Sequence, residues 1–139
     1  MASSDEVIMN FPGGRKVVAQ VGGHTLLTDQ PVEVGGENAG PSPYSLFISS
    51  IGACAGFYAL TFFQKRELNH EGLRVIARPY SNEGTLAGVN IEVEVPAGFP
   101  DKYRGALLRS IEQCSVKRAI QAQPDIRVDL TAVDARAAS

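Results

Sequence analysis

Leu46-Phe47-Ile48-Ser49-Ser50-Ile51-Gly52-Ala53-Cys54-Ala55-Gly56-Phe57-Tyr58-Ala59-Leu60-Thr61-Phe62-Phe63 runs for eighteen residues without a charge. That length touches the lower limit for a membrane span, and Gly52-xxx-Gly56 has the small-residue spacing of transmembrane helix contacts. Ser49, Ser50, Cys54, Tyr58 and Thr61 dilute the run, however, and the flanking segments read as half-exposed strands. We therefore read it as the central helix of a compact fold rather than a membrane span. A helix apolar on all sides is also what the centre of a compact dimer requires. Ser42-Pro43 marks its start, because Ser caps free amides and Pro fits the first helical position. The expected end is near Asn69, with Gly72 placed to terminate it.

Within this helix Ser49, Gly52, Ala53 and Gly56 recur at i, i+3, i+4 and i+7, forming one narrow strip that lets another backbone approach closely. Cys54 stands beside the strip, among apolar residues but without large neighbours. On these residues alone two readings stand: an inert buried cysteine, the commoner case, and a reactive thiol. Cys114 is placed differently, at a helix break just ahead of a short helix from Val116, whose unpaired amides favour a thiolate. Sixty positions separate the cysteines, and nothing local forces them together.

Outward from the helix, the first forty residues read as a small antiparallel meander. Val7–Phe11, Val17–Val21, His24–Leu27 and Val32–Val34 are the apolar runs; Pro12-Gly13-Gly14 and Gly22-Gly23 are the turns. After the helix, Leu73–Tyr80 reads as a strand, and Val89, Ile91, Val93 and Val95 alternate with polar residues, the clearest period-two pattern in the chain. Pro100-Asp101 opens a second helix with Tyr103, Ala106, Leu107, Ser110 and Ile111 on one face. Val116–Gln121 makes a last short helix, and Ile126, Val128 and Leu130 alternate as a final strand. Strands, long helix, hairpin, helices and strand predict an α+β fold, one domain over residues 1–139 with flexible ends at 1–5 and 134–139.

Composition narrows the function classes. Of 139 residues, 44% are hydrophobic and 20% charged, too apolar for disorder. A net charge of −2 with no basic run offers no nucleic-acid-binding face. Met1-Ala2-Ser3-Ser4-Asp5-Glu6 lacks the basic and apolar regions of a secretory signal. The expected location is the cytoplasm, where two cysteines point to catalytic or redox use rather than a structural disulfide.

Gly36-Glu37-Asn38-Ala39-Gly40-Pro41-Ser42-Pro43-Tyr44, running into Ser50-Ile51-Gly52-Ala53-Cys54, resembles the osmotically induced protein C / organic hydroperoxide resistance (OsmC/Ohr) family, in its OsmC-like branch. The similarity continues through Glu71-Gly72-Leu73-Arg74-Val75. It ends in Glu112-Gln113-Cys114-Ser115-Val116, which is similar to the family's second cysteine motif. The resemblance implies an intertwined homodimer with two active sites at its interface and thiol-dependent reduction of organic hydroperoxides in stress defence. Carried over, Cys54 is the peroxidatic cysteine that forms a sulfenic acid. Cys114 resolves it as a disulfide, and an external dithiol or thiol carrier, with no bound cofactor or metal, reduces that disulfide. Phe47, Phe57 and Tyr58, with Tyr44, are expected to line the substrate pocket. Gly13-Gly14-Arg15 resembles the glycine-turn arginine that activates the thiolate. Where the family has a glutamate ten residues before the first cysteine to hold that arginine, this chain has Tyr44, followed by Ser45. Glu37, in the preceding loop, is the candidate substitute.

Three rival readings remain, one of them a purely structural dimerisation module in which neither thiol reacts with peroxide or forms a disulfide. A zinc site would draw on His24, Cys54, His70 and Cys114, but no pair has close ligand spacing. The missing glutamate favours a divergent member that binds a small apolar ligand or senses oxidants with little turnover.

Overall fold

The structure, a computed structural model, describes residues 5–133. The expected flexible ends at 1–5 and 134–139 lie, Asp5 apart, outside the described residues. β1 (Val7–Gly13), β2 (Lys16–Val21) and β3 (His24–Thr28) form an antiparallel sheet in the order β1-β2-β3. Gly22-Gly23 turns the chain as read, while β1 runs irregularly through Pro12 and Gly13, leaving the first turn to Gly14-Arg15. Val7 pairs with Val21, and Val21 with His24. The strands of this sheet make no substantial packing against the helices of the same chain.

A fourth strand of the meander does not form. Val32–Val34 is a turn of 3-10 helix, with Val34 and Gly36 amides both donating to the Pro31 carbonyl. Pro31 turns the chain, and Gly35, at φ 94°, closes it. With Val32 and Val34 both well exposed, no buried face rewards an extended strand there. The loop is instead organised by Asp29, whose carboxylate accepts the amides of Gln30 (2.8 Å), Glu37 (3.1 Å) and Ala39 (3.0 Å).

The long helix α1 spans Pro43–Lys65, with the Ser42 hydroxyl accepting the Ser45 amide at 3.1 Å. It stops four residues short of the predicted end. Glu67 adopts the left-handed conformation (φ 54°), its amide donates to Gln64 and the Leu68 amide donates to Phe63. That is a Schellman closure, in which Leu68 folds back onto the core. The helix is long and apolar enough to cross a membrane. Here it packs instead on β4 (Arg74–Asn82), which pairs with β5 (Thr85–Glu94) as an antiparallel hairpin. The small-residue strip is the contact: a Cβ at Gly52 would sit 3.4 Å from Ala77, and one at Gly56 3.8 Å from Val75.

Tyr103, Ala106, Leu107 and Ile111 face the core as their spacing predicts. After a 3-10 turn at Asp101–Tyr103, α2 (Arg104–Ile111) sets them against Phe62 and Phe63 of α1. Phe63 stacks on Phe99 at 5.2 Å and is 1% exposed. The short helix α3 (Ser115–Gln121) then packs back on α1.

The predicted final strand is absent within the chain. Residues 123–130 carry no ladder, and Ile126, Val128 and Leu130 are 84%, 93% and 101% exposed. The apolar alternation is present, but a strand exists only through a paired edge, and no strand among the described residues pairs with 123–130.

Candidate functional site

The packing of α3 on α1 closes the sixty-residue gap. At the end of α2 the Cys114 amide still donates to Ile111. Cys114 itself then leaves helical geometry (φ −48°, ψ 119°) so that a new helix starts at Ser115. Its sulfur caps that helix, accepting the Lys117 amide at 3.4 Å, and the residue is 2% exposed. Cys54, half-buried on α1, meets this junction, its Sγ 3.8 Å from Ser115 Oγ. Both thiols are free.

Electrostatics separate the pair. Burial pushes the Cys54 thiol up, but the Cys114 thiol, the Val116 amide, and the hydroxyl and amide of Ser115 together outweigh it and hold it below the usual cysteine value. Cys114 moves the other way, raised by burial and by serving as the protonated neighbour of Cys54. The helix amides were expected to favour a thiolate at Cys114. The Lys117 and Val116 amides do favour it there, but burial and the neighbouring Cys54 outweigh them, while the Val116 and Ser115 amides also lower Cys54.

The charged candidates lie elsewhere. Arg15, in the exposed β1–β2 turn, rests over Gly35, whose Cβ position is 3.5 Å from Arg15 Nε. Glu37 does not hold Arg15; it pairs with Lys16 Nζ at 2.9 Å. The two basic residues are adjacent in the chain, and Lys16 is the one aimed at the Asp29 loop, where its pKa is raised by Glu37.

A groove of ≈ 570 Å³ lies between α1, β5, α2 and α3. Phe47, Ile51, Val89, Leu108 and Ile120 supply its apolar wall, and Cys114 reaches it. Of the four expected pocket aromatics only Phe47 lines it. Tyr44 leans on Phe47 with ring centroids 6.5 Å apart, while Phe57 and Tyr58 pair edge-on at 5.2 Å some three turns along α1. Phe57 is 58% exposed. Ile51 and Ala55, at i+4 and i+8 from Phe47, carry the wall onward, a spacing visible in the sequence. Ser115 went unmarked in the sequence except as the residue after a cysteine. Glu112 and Lys117, which pair with each other, form the polar rim. Among the described residues no three of His, Cys, Asp and Glu gather as a metal cluster would require.

Comparison with known proteins agrees with this architecture. The family described as OsmC-like protein matches residues 35–129. Among solved structures, a Psychrobacter arcticus 273-4 protein assigned to the osmotic stress induced and detoxification response superposes with TM-score 0.66 at 18% identity. That match covers 81% of this chain and 85% of that one. An organic hydroperoxide resistance protein from Legionella pneumophila matches with TM-score 0.55 at 24% identity, over 84% of this chain and 89% of that one. An OsmC-like protein from Mycoplasma pneumoniae matches with TM-score 0.64 at 15% identity, covering 93% and 95%. At these identities the structures speak for the fold. Curated proteins give no significant sequence match. With a family match across most of its length and an α+β fold shared with these structures, the chain belongs to the OsmC-like protein family.

Proposed function

We propose that this chain is a thiol-dependent peroxidase that reduces organic hydroperoxides in the cytoplasm, where thiols stay reduced. The observation that carries the reading is the meeting of Cys54 and Cys114, with Cys54 the more acidic of the two. In the first step the Cys54 thiolate attacks the distal oxygen of ROOH. The O–O bond breaks, the sulfur becomes a sulfenic acid (Cys54–SOH) and RO⁻ leaves, taking a proton to become ROH. Cys114 then attacks the sulfenic sulfur, forming a Cys54–Cys114 disulfide and releasing water. An external dithiol or thiol carrier reduces that disulfide by exchange. The apolar wall of the groove suits the alkyl part of such a peroxide.

The working unit in this reading is a homodimer. In support, the β1–β2–β3 sheet exposes Ile8, Met9, Phe11 and Leu26, and its own helices leave it uncovered. Residues 126–130 present a further exposed apolar alternation. The test is a coupled assay with cumene hydroperoxide and a dithiol. Turnover is expected, and Cys54→Ser is expected to abolish it. Unchanged peroxide consumption in Cys54→Ser would sink the peroxidase reading. The lack of a carboxylate at position 44 and the groove favour a second reading, a small-ligand binder or oxidant sensor. That reading predicts one stoichiometric oxidation of Cys54 without turnover.

A further inference from the structure

The groups that hold the Cys54 thiol down are all neutral: the Cys114 thiol, two amides, and one side-chain hydroxyl. No charged group is among those acting on Cys54; among the described residues Arg104 and Arg109 on α2 and Arg118 on α3 form no ion pair, and other charges nearby are paired. On β4, Arg74 and Arg78 pair with Glu94 and Glu92, and on α3 Lys117 pairs with Glu112. Arg15 and Glu37 sit on the uncovered sheet and its loop, with Glu37 taken by Lys16. Ser115 Oγ, by contrast, is 3.8 Å from Cys54 Sγ and is the side-chain hydroxyl there with a rotatable proton. It has no capping duty, because the N-cap of α3 is the Cys114 sulfur. The Ser42, Ser49 and Ser50 hydroxyls are all spent within α1 and its cap, so the Ser115 hydroxyl is unusual in facing a thiol.

We propose that Ser115 is a functional residue of the thiol site, donating its hydroxyl proton to the Cys54 thiolate and so supplying stabilisation otherwise left to a distant cation. The inference rests on reading Cys54 as the reactive thiol, but not on peroxide being its partner. When the thiolate is oxidised, the same hydroxyl is placed to hydrogen-bond the sulfenic oxygen, holding it while Cys114 attacks.

The experiment follows the pH dependence of iodoacetamide alkylation of Cys54, resolved from Cys114 by peptide mass spectrometry, in wild type, Ser115→Ala and Ser115→Thr. Loss of one hydrogen bond to a charged acceptor is expected to raise the Cys54 midpoint by about half a unit to one unit in Ser115→Ala. Ser115→Thr keeps the hydroxyl and is expected to restore it. An Ala midpoint equal to wild type, or a Thr variant that behaves like Ala, overturns the proposal. Because the threonine variant preserves the chemistry, a general loosening of α3 does not mimic the result. Peroxide turnover of the wild type is measured in parallel. If turnover is absent while the Ala midpoint still moves and Thr restores it, the peroxidase reading fails and the assignment of Ser115 stands.

Discussion

Cys54 and Cys114 move in opposite directions because hydrogen-bond donors outweigh burial at Cys54, whereas burial and the neighbouring Cys54 outweigh the Lys117 and Val116 amides at Cys114. At neutral pH the more acidic thiol holds the larger thiolate fraction, and thiolate is the attacking form. Alkylation by iodoacetamide at pH 7 is therefore expected to label Cys54 faster than Cys114, read by peptide mass spectrometry. Equal labelling would show that the junction does not separate the two. Asp29 is the second residue whose surroundings decide its charge. Amides of Ala39, Gln30 and Glu37 hold its carboxyl below the usual carboxylate value against the opposing effect of burial. A lowered folded pKa means its contribution is complete above the unfolded value of about 4, and is lost as pH falls through the lower folded one. Asp29→Asn is accordingly expected to lower the melting temperature at pH 7 by several degrees. The gap to wild type is expected to narrow below about pH 4. A gap independent of pH would assign the effect to packing.

Among the elements, α1 and β4 make the contact most sensitive to volume. The strip of small residues was read from spacing, and what it admits is the β4 strand at Ala77 and Val75. At Gly52 a single added carbon lands at ordinary contact distance. Gly52→Ala is thus expected to be neutral or to stabilise, by up to about 1 kcal/mol, since alanine is the better helix former. Gly52→Leu has nowhere to put its extra carbons without moving β4 and is expected to cost about 1–3 kcal/mol. Urea unfolding measures both, and equal effects for the two would place the contact elsewhere. The same comparison explains why Cys54 stays reachable. On the helix surface its i±3 and i±4 neighbours are Ser50, Ile51, Phe57 and Tyr58, while the glycines of the strip leave the adjoining face open.

For the molecule as a whole, the question is what covers its outer apolar residues. Phe11 at 78%, Val128 at 93% and Leu130 at 101% exposure exceed what scattered surface residues require, and they sit on an uncovered sheet and an unpaired segment. In the homodimer we propose, these are the surfaces joined. The double variant Val128→Asp, Leu130→Asp is then expected to shift the protein from dimer to monomer in sedimentation velocity, while α1, β4 and β5 remain folded by circular dichroism. A dimer that survives both charges would remove residues 126–130 from the interface. The exposure of one face of α1 fits the same picture, since eighteen uncharged residues find only partial cover from β4, α2 and α3.

Much of this was legible in the residues themselves, and for local reasons. Ser42-Pro43 starts α1 because a hydroxyl cap and a proline at the first helical position act within one turn. The alternation at Val89–Val95 is β5 because side chains on a strand point alternately to two faces. Cys114 breaks a helix in both readings. What spacing missed was set by backbone conformation at neighbouring residues or by pairing partners that the described residues do not supply. Val32–Val34 lost its strand to Pro31 and Gly35, α1 ended early on a left-handed Glu67, and Ile126–Leu130 found no edge to pair with. The site divides in the same way. Sequence marked both cysteines, while only the return of α3 onto α1 decided at which thiol the donors outweigh burial and which hydroxyl faces it. Hydrogen bonds to sulfur depend on distances of a few ångströms, and no spacing along a chain encodes those across sixty residues.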